Sequence, residues 1–258
     1  MHDGKALQSG TTHYFGTGFA KAFGITFQGK DNVLRNPHQA SWGVSTRLLG
    51  SIIMVHGDDN GLVLPPFVAP IQVVIIPIQQ NKEGILDKAN EIKERLEKAG
   101  YRVSLDDSDR TPGWKYAEHE MKGVPLRLEL GPRDLEKNQV VIARRVDGHK
   151  SFVKNEDIES EVARLLKETH EEMYRKAQEF LKSHIVEVKS VQELKNVVDV
   201  GGYAKMMWCG ERACEDKIKE LTTATARCMP HGDHEQFADE CAVCGKKAEK
   251  IVYFAKAY

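Results

Sequence analysis

The sequence predicts an α/β protein in three segments, on three observations. Strand and helix patterns alternate between residues 70 and 182. Prolines at 65, 66 and 70 punctuate the chain just before them, and four cysteines in two close pairs fall after residue 200. A chain of 258 residues holds one large domain or two to three small ones. The boundaries are read as 1–69, 70–182 and 183–258.

The first segment is rich in glycine, threonine and aromatic residues. Its apolar run at 48–55 is about the shortest that makes a helix, with Ser45 as a good N-cap and Arg47 in the first turn. A helix N-terminus, a guanidinium and the hydroxyls of Ser45 and Thr46 would together make an anion site suited to phosphate. The plainer reading is a solvated arginine beside a core helix. Gly16-Thr17-Gly18 lacks the third glycine of a dinucleotide loop and reads as a turn. His13, alone, reads as structural. Asp58 and Asp59 before Asn60-Gly61 read as a turn first and metal ligands second. Pro65, Pro66 and Pro70 predict an extended connector.

The second segment opens with the β-branched run 71–78, expected as a strand buried on both faces. Ile85, Ala89, Ile92, Leu96 and Ala99 recur at helical spacing, and Gly100 stands at the C-cap. Residues 101–105 read as a short strand. Val124, Leu126, Leu128 and Leu130 alternate with Pro125, Arg127 and Glu129, the period of a half-buried strand. Residues 139–143 form another. Asn155 is placed to cap a long helix whose first turn carries Glu156, Asp157 and Glu159, acids that the helix dipole favours. This alternation argues for an α/β domain.

In the third segment Ser190 and Glu193 have capping-box spacing, and a small loop-rich unit follows. Cys209 and Cys214 are separated by four residues, Cys241 and Cys244 by two. Each spacing lets two thiolates reach one ion, and four thiolates suit tetrahedral zinc. Such a closed site leaves no position for water, so the zinc is structural. Gly210 and Gly245 stand where the chain must turn tightly around the metal. Cys228 reads as a small buried apolar residue; His231 and His234 are weaker ligand candidates.

Composition narrows the function. With 37 basic and 38 acidic residues the net charge is −1, so nucleic-acid binding must rest on a local patch. No run approaches the roughly 18–20 apolar residues of a membrane helix. Residues 1–12 are polar, without the apolar stretch of a signal peptide. Paired cysteines of this kind point to a metal site in a reducing, cytoplasmic compartment.

Several longer motifs carry a family resemblance. They are Leu-Gln-Ser-Gly-Thr-Thr-His-Tyr-Phe-Gly at 7–16, Ser-Trp-Gly-Val-Ser-Thr-Arg at 41–47, and His-Gly-Asp-Asp-Asn-Gly-Leu-Val-Leu-Pro-Pro at 56–66. Thr-Pro-Gly-Trp-Lys-Tyr at 111–116, Gly-Val-Pro-Leu-Arg-Leu-Glu-Leu-Gly-Pro-Arg-Asp at 123–134 and the four cysteines follow. The chain resembles, over essentially its whole length, the proline–tRNA ligases of archaeal/eukaryotic type. The resemblance implies a C-terminal piece of a class II synthetase antiparallel-sheet catalytic domain, then an α/β anticodon-binding domain, then a small α+β zinc domain. By position, Arg47 matches the motif-3 arginine that contacts the ATP phosphates, and Gln8 and Thr11 match residues near the nucleotide. His13 matches a proline-pocket residue, while Trp42 and Ser45 fall in the strand and turn closing that pocket. Lys115, Arg127, Glu129 and Arg133 are the anticodon-reading candidates, because lysine and arginine donate to guanine or phosphate and glutamate accepts from guanine N–H groups. Trp114 and Tyr116 offer faces for an unstacked base. Tyr258 matches a family habit of ending in tyrosine packed back on the catalytic domain.

The implied partners are tRNA(Pro), proline and ATP with Mg²⁺, not DNA, and the implied full enzyme is a homodimer. Gly18, Ala40 and Phe67 depart from the family pattern; Phe67 stands where arginine is usual. The family's motifs 1 and 2 are expected upstream of Met1, so this chain alone is expected not to activate proline. Leu126-Arg127-Leu128-Glu129 imitates motif 2 in letters but follows motif 3. The alternative is a non-catalytic tRNA-binding module.

Overall fold

A computed structural model describes residues 1–232 and 235–258, and these divide into two units, Met1–Ser51 with Ile185–Tyr258, and Ile52–His184. His234, a weaker ligand candidate, lies outside the described residues.

In the first unit, Thr11–Gly16 (β1) pairs antiparallel with Gln39–Gly43 (β4). Between them come the short helix Gly18–Ala22 (α1) and the two-residue strands Phe27–Gln28 (β2) and Leu34–Arg35 (β3), which pair as a hairpin. The predicted turn is there: Gly16 takes a positive φ of 54° just before α1. The β1–β4 ribbon buries neither face. The apolar run forms the helix Arg47–His56 (α2), but none of its residues is buried, so it is not the core helix of the plainer reading. The unit boundary falls within α2.

The C-terminal part of this unit is more regular than the loop-rich expectation. Ile185–Val188 (β10), Tyr203–Trp208 (β11), Lys250–Ala255 (β13) and Thr225–Cys228 (β12) form a four-stranded sheet in that order. The helices Val191–Val200 (α7) and Arg212–Thr222 (α8) accompany it, and Leu194, Val198, Ile218, Met206 and Phe254 share one core. Ser190 caps α7, accepting from the Glu193 amide at 3.2 Å, and the Glu193 carboxylate accepts from the Lys189 amide at 2.7 Å. Cys228 ends β12 exposed rather than buried, at an irregularity where the register with β13 shifts. The two ends of the chain meet: Ala6 and Ala257 form a parallel bridge, the Ala6 amide donates to the Lys256 carbonyl and the Tyr258 amide to the Ala6 carbonyl.

The second unit is an α/β domain. Its sheet runs Val103–Leu105 (β6), Val73–Pro77 (β5), Leu126–Leu130 (β7), Gln139–Arg144 (β8), Lys150–Lys154 (β9). β5 is parallel to β6 and β7, and β8 and β9 add antiparallel. The helices are Ile85–Lys98 (α3), Pro112–Met121 (α4), Pro132–Glu136 (α5) and Ile158–Ser183 (α6). One face packs Val73, Ile75, Leu126, Leu128, Val140 and Ile142 with Ala89, Ile92 and Leu96 of α3 and Val162 and Leu165 of α6. Each of these valine, leucine and isoleucine side chains contributes roughly 1.5–3 kcal/mol by leaving water. β5 is buried at every position, as its unbroken apolar run predicts.

Four expectations are corrected here. β7 is not half-buried: Glu129 is buried too, because α4 brings Tyr116 over this side of the strand. Asn155 does not cap α6; residues 155–157 form a 3₁₀ turn and the Asn155 carboxamide oxygen accepts from Arg95 at 3.0 Å instead. Ala99 is exposed beyond the end of α3, while Gly100 closes the helix, its amide donating to Glu97. Residues 65–69 are a turn, not an extended connector. Arg102 holds that turn by donating to the carbonyls of Pro66, Phe67 and Ala69. Phe67, where arginine is usual, packs its ring against His170 at a tilt of 43°, with centroids 4.1 Å apart. The Asp58–Gly61 turn also belongs to this unit, since Asp58 pairs with buried Arg145 at 2.8 Å.

Candidate functional site

The second face of the five-stranded sheet is only partly covered. Register sets two rows across it: Val74, Arg127, Ala143, Lys150, and Ile76, Glu129, Val141, Phe152. Val74 and Ile76 pack with Val124 and Tyr116 beside α4, so the β5 end of each row is dry. Exposure then rises along the second row, from 0% at Ile76 and 6% at Glu129 to 71% at Phe152.

Thr111 caps α4 and Pro112 opens it, which sets Tyr116 one turn in. The Arg127 guanidinium lies 4.1 Å from the Tyr116 ring, within cation–π range, and the Lys150 ammonium lies 5.6 Å away. Glu129 accepts from Arg127 Nε at 3.0 Å and from Lys150 Nζ at 2.9 Å. Burial, then the Glu129 charge, pushes the Tyr116 hydroxyl up to about 12, so it stays protonated. The cluster holds two cations and one carboxylate against an aromatic ring. Its net positive charge and hydrogen-bonding edges suit an RNA base and phosphate. Arg133 is exposed on α5, whose start is tied by the Gly131 amide to the Asp134 carboxylate at 3.0 Å.

Lys115 is placed differently from the other three candidates. Its side chain is only 2% exposed, and its ammonium donates to the Asp106 carbonyl at 2.7 Å. The Asp106 carboxylate also meets His119 Nε2 at 2.8 Å and accepts from the Ser108 hydroxyl at 2.6 Å. Burial alone would raise the Asp106 carboxyl; the Ser108 and His119 hydrogen bonds and the Lys115 charge outweigh it and hold the group below the usual carboxylate range. Arg110 lies 5.1 Å over the half-exposed Trp114 ring. Residue-by-residue reading missed Lys150, Phe152, Asp106 and His119. The alternation Lys-Ser-Phe-Val-Lys at 150–154 carried the signal for the first two.

The four cysteines converge. The Sγ atoms of Cys209, Cys214, Cys241 and Cys244 all lie within 4.8 Å of one another, and Cys209 is 3.7 Å from both Cys214 and Cys244. A tetrahedral ion with Zn–S bonds of about 2.3 Å sets its sulfurs about 3.8 Å apart, so the donor set fits. Cys209 follows β11, Cys214 lies in the first turn of α8, and Cys241 and Cys244 sit on a turn closed by the Gly245 amide on the Cys241 carbonyl at 2.9 Å. Gly210 and Gly245 have φ of 90° and 68°, the left-handed turns that ligand spacing demands. Burial pushes the Cys214 thiol up; at Cys241 the backbone amides of Val243, Cys209 and Cys244 outweigh burial and bring the thiol down towards thiolate.

The nucleotide-pocket candidates lie on the ribbon, on α2 and, for Gln8 and Ser45, on the segments next to them. Gln8 Nε2 donates to Thr11 Oγ1 at 2.8 Å, so those two meet. Thr11 faces Gly43 across the ribbon, and the Arg47 amide donates to Ser45 Oγ at 3.3 Å. His13 pairs with Ser41 and Thr12 with Trp42, so alternation puts His13 and Trp42 on opposite faces. Trp42 is 78% exposed, and Arg47 is exposed as well.

An α/β domain whose half-open sheet face carries Arg127 and Lys150, and an α+β domain with a four-thiol cluster, have the chemistry of an RNA-binding class. Residues 72–165 match the anticodon binding domain family, and residues 191–258 match the prolyl-tRNA synthetase C-terminal family. The whole chain is similar to proteins named proline–tRNA ligase: 54% identical to that of Agathobacter rectalis, 53% to that of Lachnoclostridium phytofermentans and 52% to that of Oceanobacillus iheyensis. It aligns over 100% of its own length and 54% of theirs, so the chain spans about half the length of the curated relatives it matches. Prolyl-tRNA synthetase or proline–tRNA ligase is the description shared by the family model matched at residues 191–258 and by these relatives.

Proposed function

We propose that these 258 residues are part of a proline–tRNA ligase, an ATP-dependent enzyme that activates proline and transfers it to tRNA(Pro). The single observation that carries this reading is similarity above 50% along the entire chain to relatives twice its length. Residues 1–69 contribute part of the ATP and proline pocket, 70–182 the anticodon reader and 183–258 the zinc domain. Arg47 is the catalytic arginine on the ATP phosphates, with Gln8 and Thr11 at the nucleotide and His13, Trp42 and Ser45 at proline. ATP and Mg²⁺ belong to the full enzyme, which acts in the cytoplasm as a homodimer. The archaeal/eukaryotic type is supported by the four-thiol C-terminal domain. When bound, Zn²⁺ supplies a cross-link between β11, α8 and the 241–244 turn through Cys209, Cys214, Cys241 and Cys244.

On the anticodon domain, Arg127, Glu129 and Arg133 face RNA. Lys115 serves from within, fixing the Asp106 segment ahead of α4. The exposed ribbon supports the expectation that these 258 residues alone do not activate proline. Among the described residues the ribbon and Arg47 are largely exposed, and a triphosphate in so open a setting would be neither clamped nor shielded from water.

The test has two parts. Proline-dependent ATP–pyrophosphate exchange by this chain stays at background and appears when the remaining half of a relative is supplied; exchange by the chain alone would contradict the split-pocket reading. Binding to a proline tRNA transcript falls by roughly 1–3 kcal/mol for each anticodon guanine replaced. Equal binding to both transcripts would favour the alternative, a tRNA-binding module without base discrimination. The complete core of residues 52–184 keeps that second reading in play.

A further inference from the structure

Phe152 is an apolar ring left open to water on a well-formed strand. It is 71% exposed at the end of the row Ile76, Glu129, Val141, Phe152. Period-2 alternation puts Lys150 and Lys154 on its face of β9, while Val153 turns into the core. Lysines on an edge strand have a plain explanation, since they discourage edge-to-edge pairing. A phenylalanine between them has none of that use, because an exposed apolar ring invites such pairing. Its cross-strand partner Val141 is buried on β8, whereas the Phe152 ring stays largely in water.

The surroundings indicate what the ring meets. Lys150 connects Phe152's strand to the Glu129–Arg127–Tyr116 cluster, and Lys154 is exposed, with Glu156 3.9 Å away. An exposed ring flanked by two cations at strand spacing is a stacking surface for a base whose phosphates lie over the lysines. We infer that Phe152 stacks an unpaired nucleotide of the bound RNA, next to the bases read by the Arg127–Glu129 cluster. This rests on the anticodon-binding reading above and deepens it. Stacking on a phenyl ring is indifferent to base identity, because every base has a π-face. Phe152 therefore adds affinity without adding discrimination, unlike Arg127 and Glu129.

The test uses the whole chain, zinc-loaded, with a proline tRNA transcript and the same transcript carrying replaced anticodon guanines, at several salt concentrations. Phe152→Ala weakens both complexes by the same factor, roughly 5- to 160-fold, and leaves the salt dependence unchanged because no charge is lost. Phe152→Tyr restores binding, whereas Phe152→Leu, apolar but without a π-face, does not. Lys154→Ala lowers the salt slope by roughly one counterion. Binding of Phe152→Ala equal to the unaltered chain overturns the inference, and so does full rescue by leucine. Failure of the unaltered chain to bind either transcript would overturn the anticodon-binding reading itself, a result separable from the Phe152 comparison.

Discussion

At the residue scale, Asp106 is the charge on which the α4 side of the anticodon domain turns. It collects Lys115, His119 and Ser108 in a buried setting, and its carboxyl is held below the usual range. A carboxyl depressed in the folded state adds stability that is complete above its unfolded value of about 3.9 and fades as pH falls through the lower folded value. Asp106→Asn should therefore lower stability at neutral pH and flatten the acid limb of the unfolding curve below about pH 4. Parallel acid limbs for the two proteins would rule out Asp106 as a source of that pH dependence. The cysteines offer a second residue-level test. Cys241→Ser removes the thiol that the backbone amides favour as thiolate, so bound zinc should drop from about one per chain to none, with a lower melting temperature. Retention of metal would show that three thiols suffice.

At the element scale, the contrast is between β5, buried at every position, and the β1–β4 ribbon, open on both faces. Two strands alone are marginal in water. Amides of residues 11–16 and 39–43 should exchange orders of magnitude faster than those of 73–77 and 126–130; matched protection would contradict the exposed ribbon. The same contrast explains what the sequence made legible. The β5 run, the α3 spacing, the Ser190–Glu193 cap and the cysteine pairs are local signals, and each reappears in the structure. α4 is masked in the sequence because Pro-Gly at its start resembles a turn, although proline at the first helical position is favourable. β9 was hidden because its one inward residue is Val153. Asn155 looked like a cap, but its oxygen is taken by Arg95, 60 residues earlier, and no local rule reports such a partner. Lys115 carried the letters of a ligand reader; only the tertiary position of Asp106 turned it inward.

At the scale of the whole molecule, the two units carry different debts. The five-stranded sheet shares one buried core with α3 and α6, whereas the ribbon and α2 leave Trp42, Leu49 and Ile53 in water. The 258 residues should self-associate with rising concentration, and a covering polypeptide should suppress that; a concentration-independent sedimentation coefficient would count against it. The bridge between Ala6 and Ala257 has a kinetic consequence. Closing a loop of about 250 residues costs roughly 5 kcal/mol in chain entropy, against about 1 kcal/mol for each hydrogen bond it makes. That contact cannot nucleate folding. It closes late, after the C-terminal sheet has shortened the effective loop, and it opens first, so the amide of Ala6 is the natural reporter of the molecule beginning to come undone.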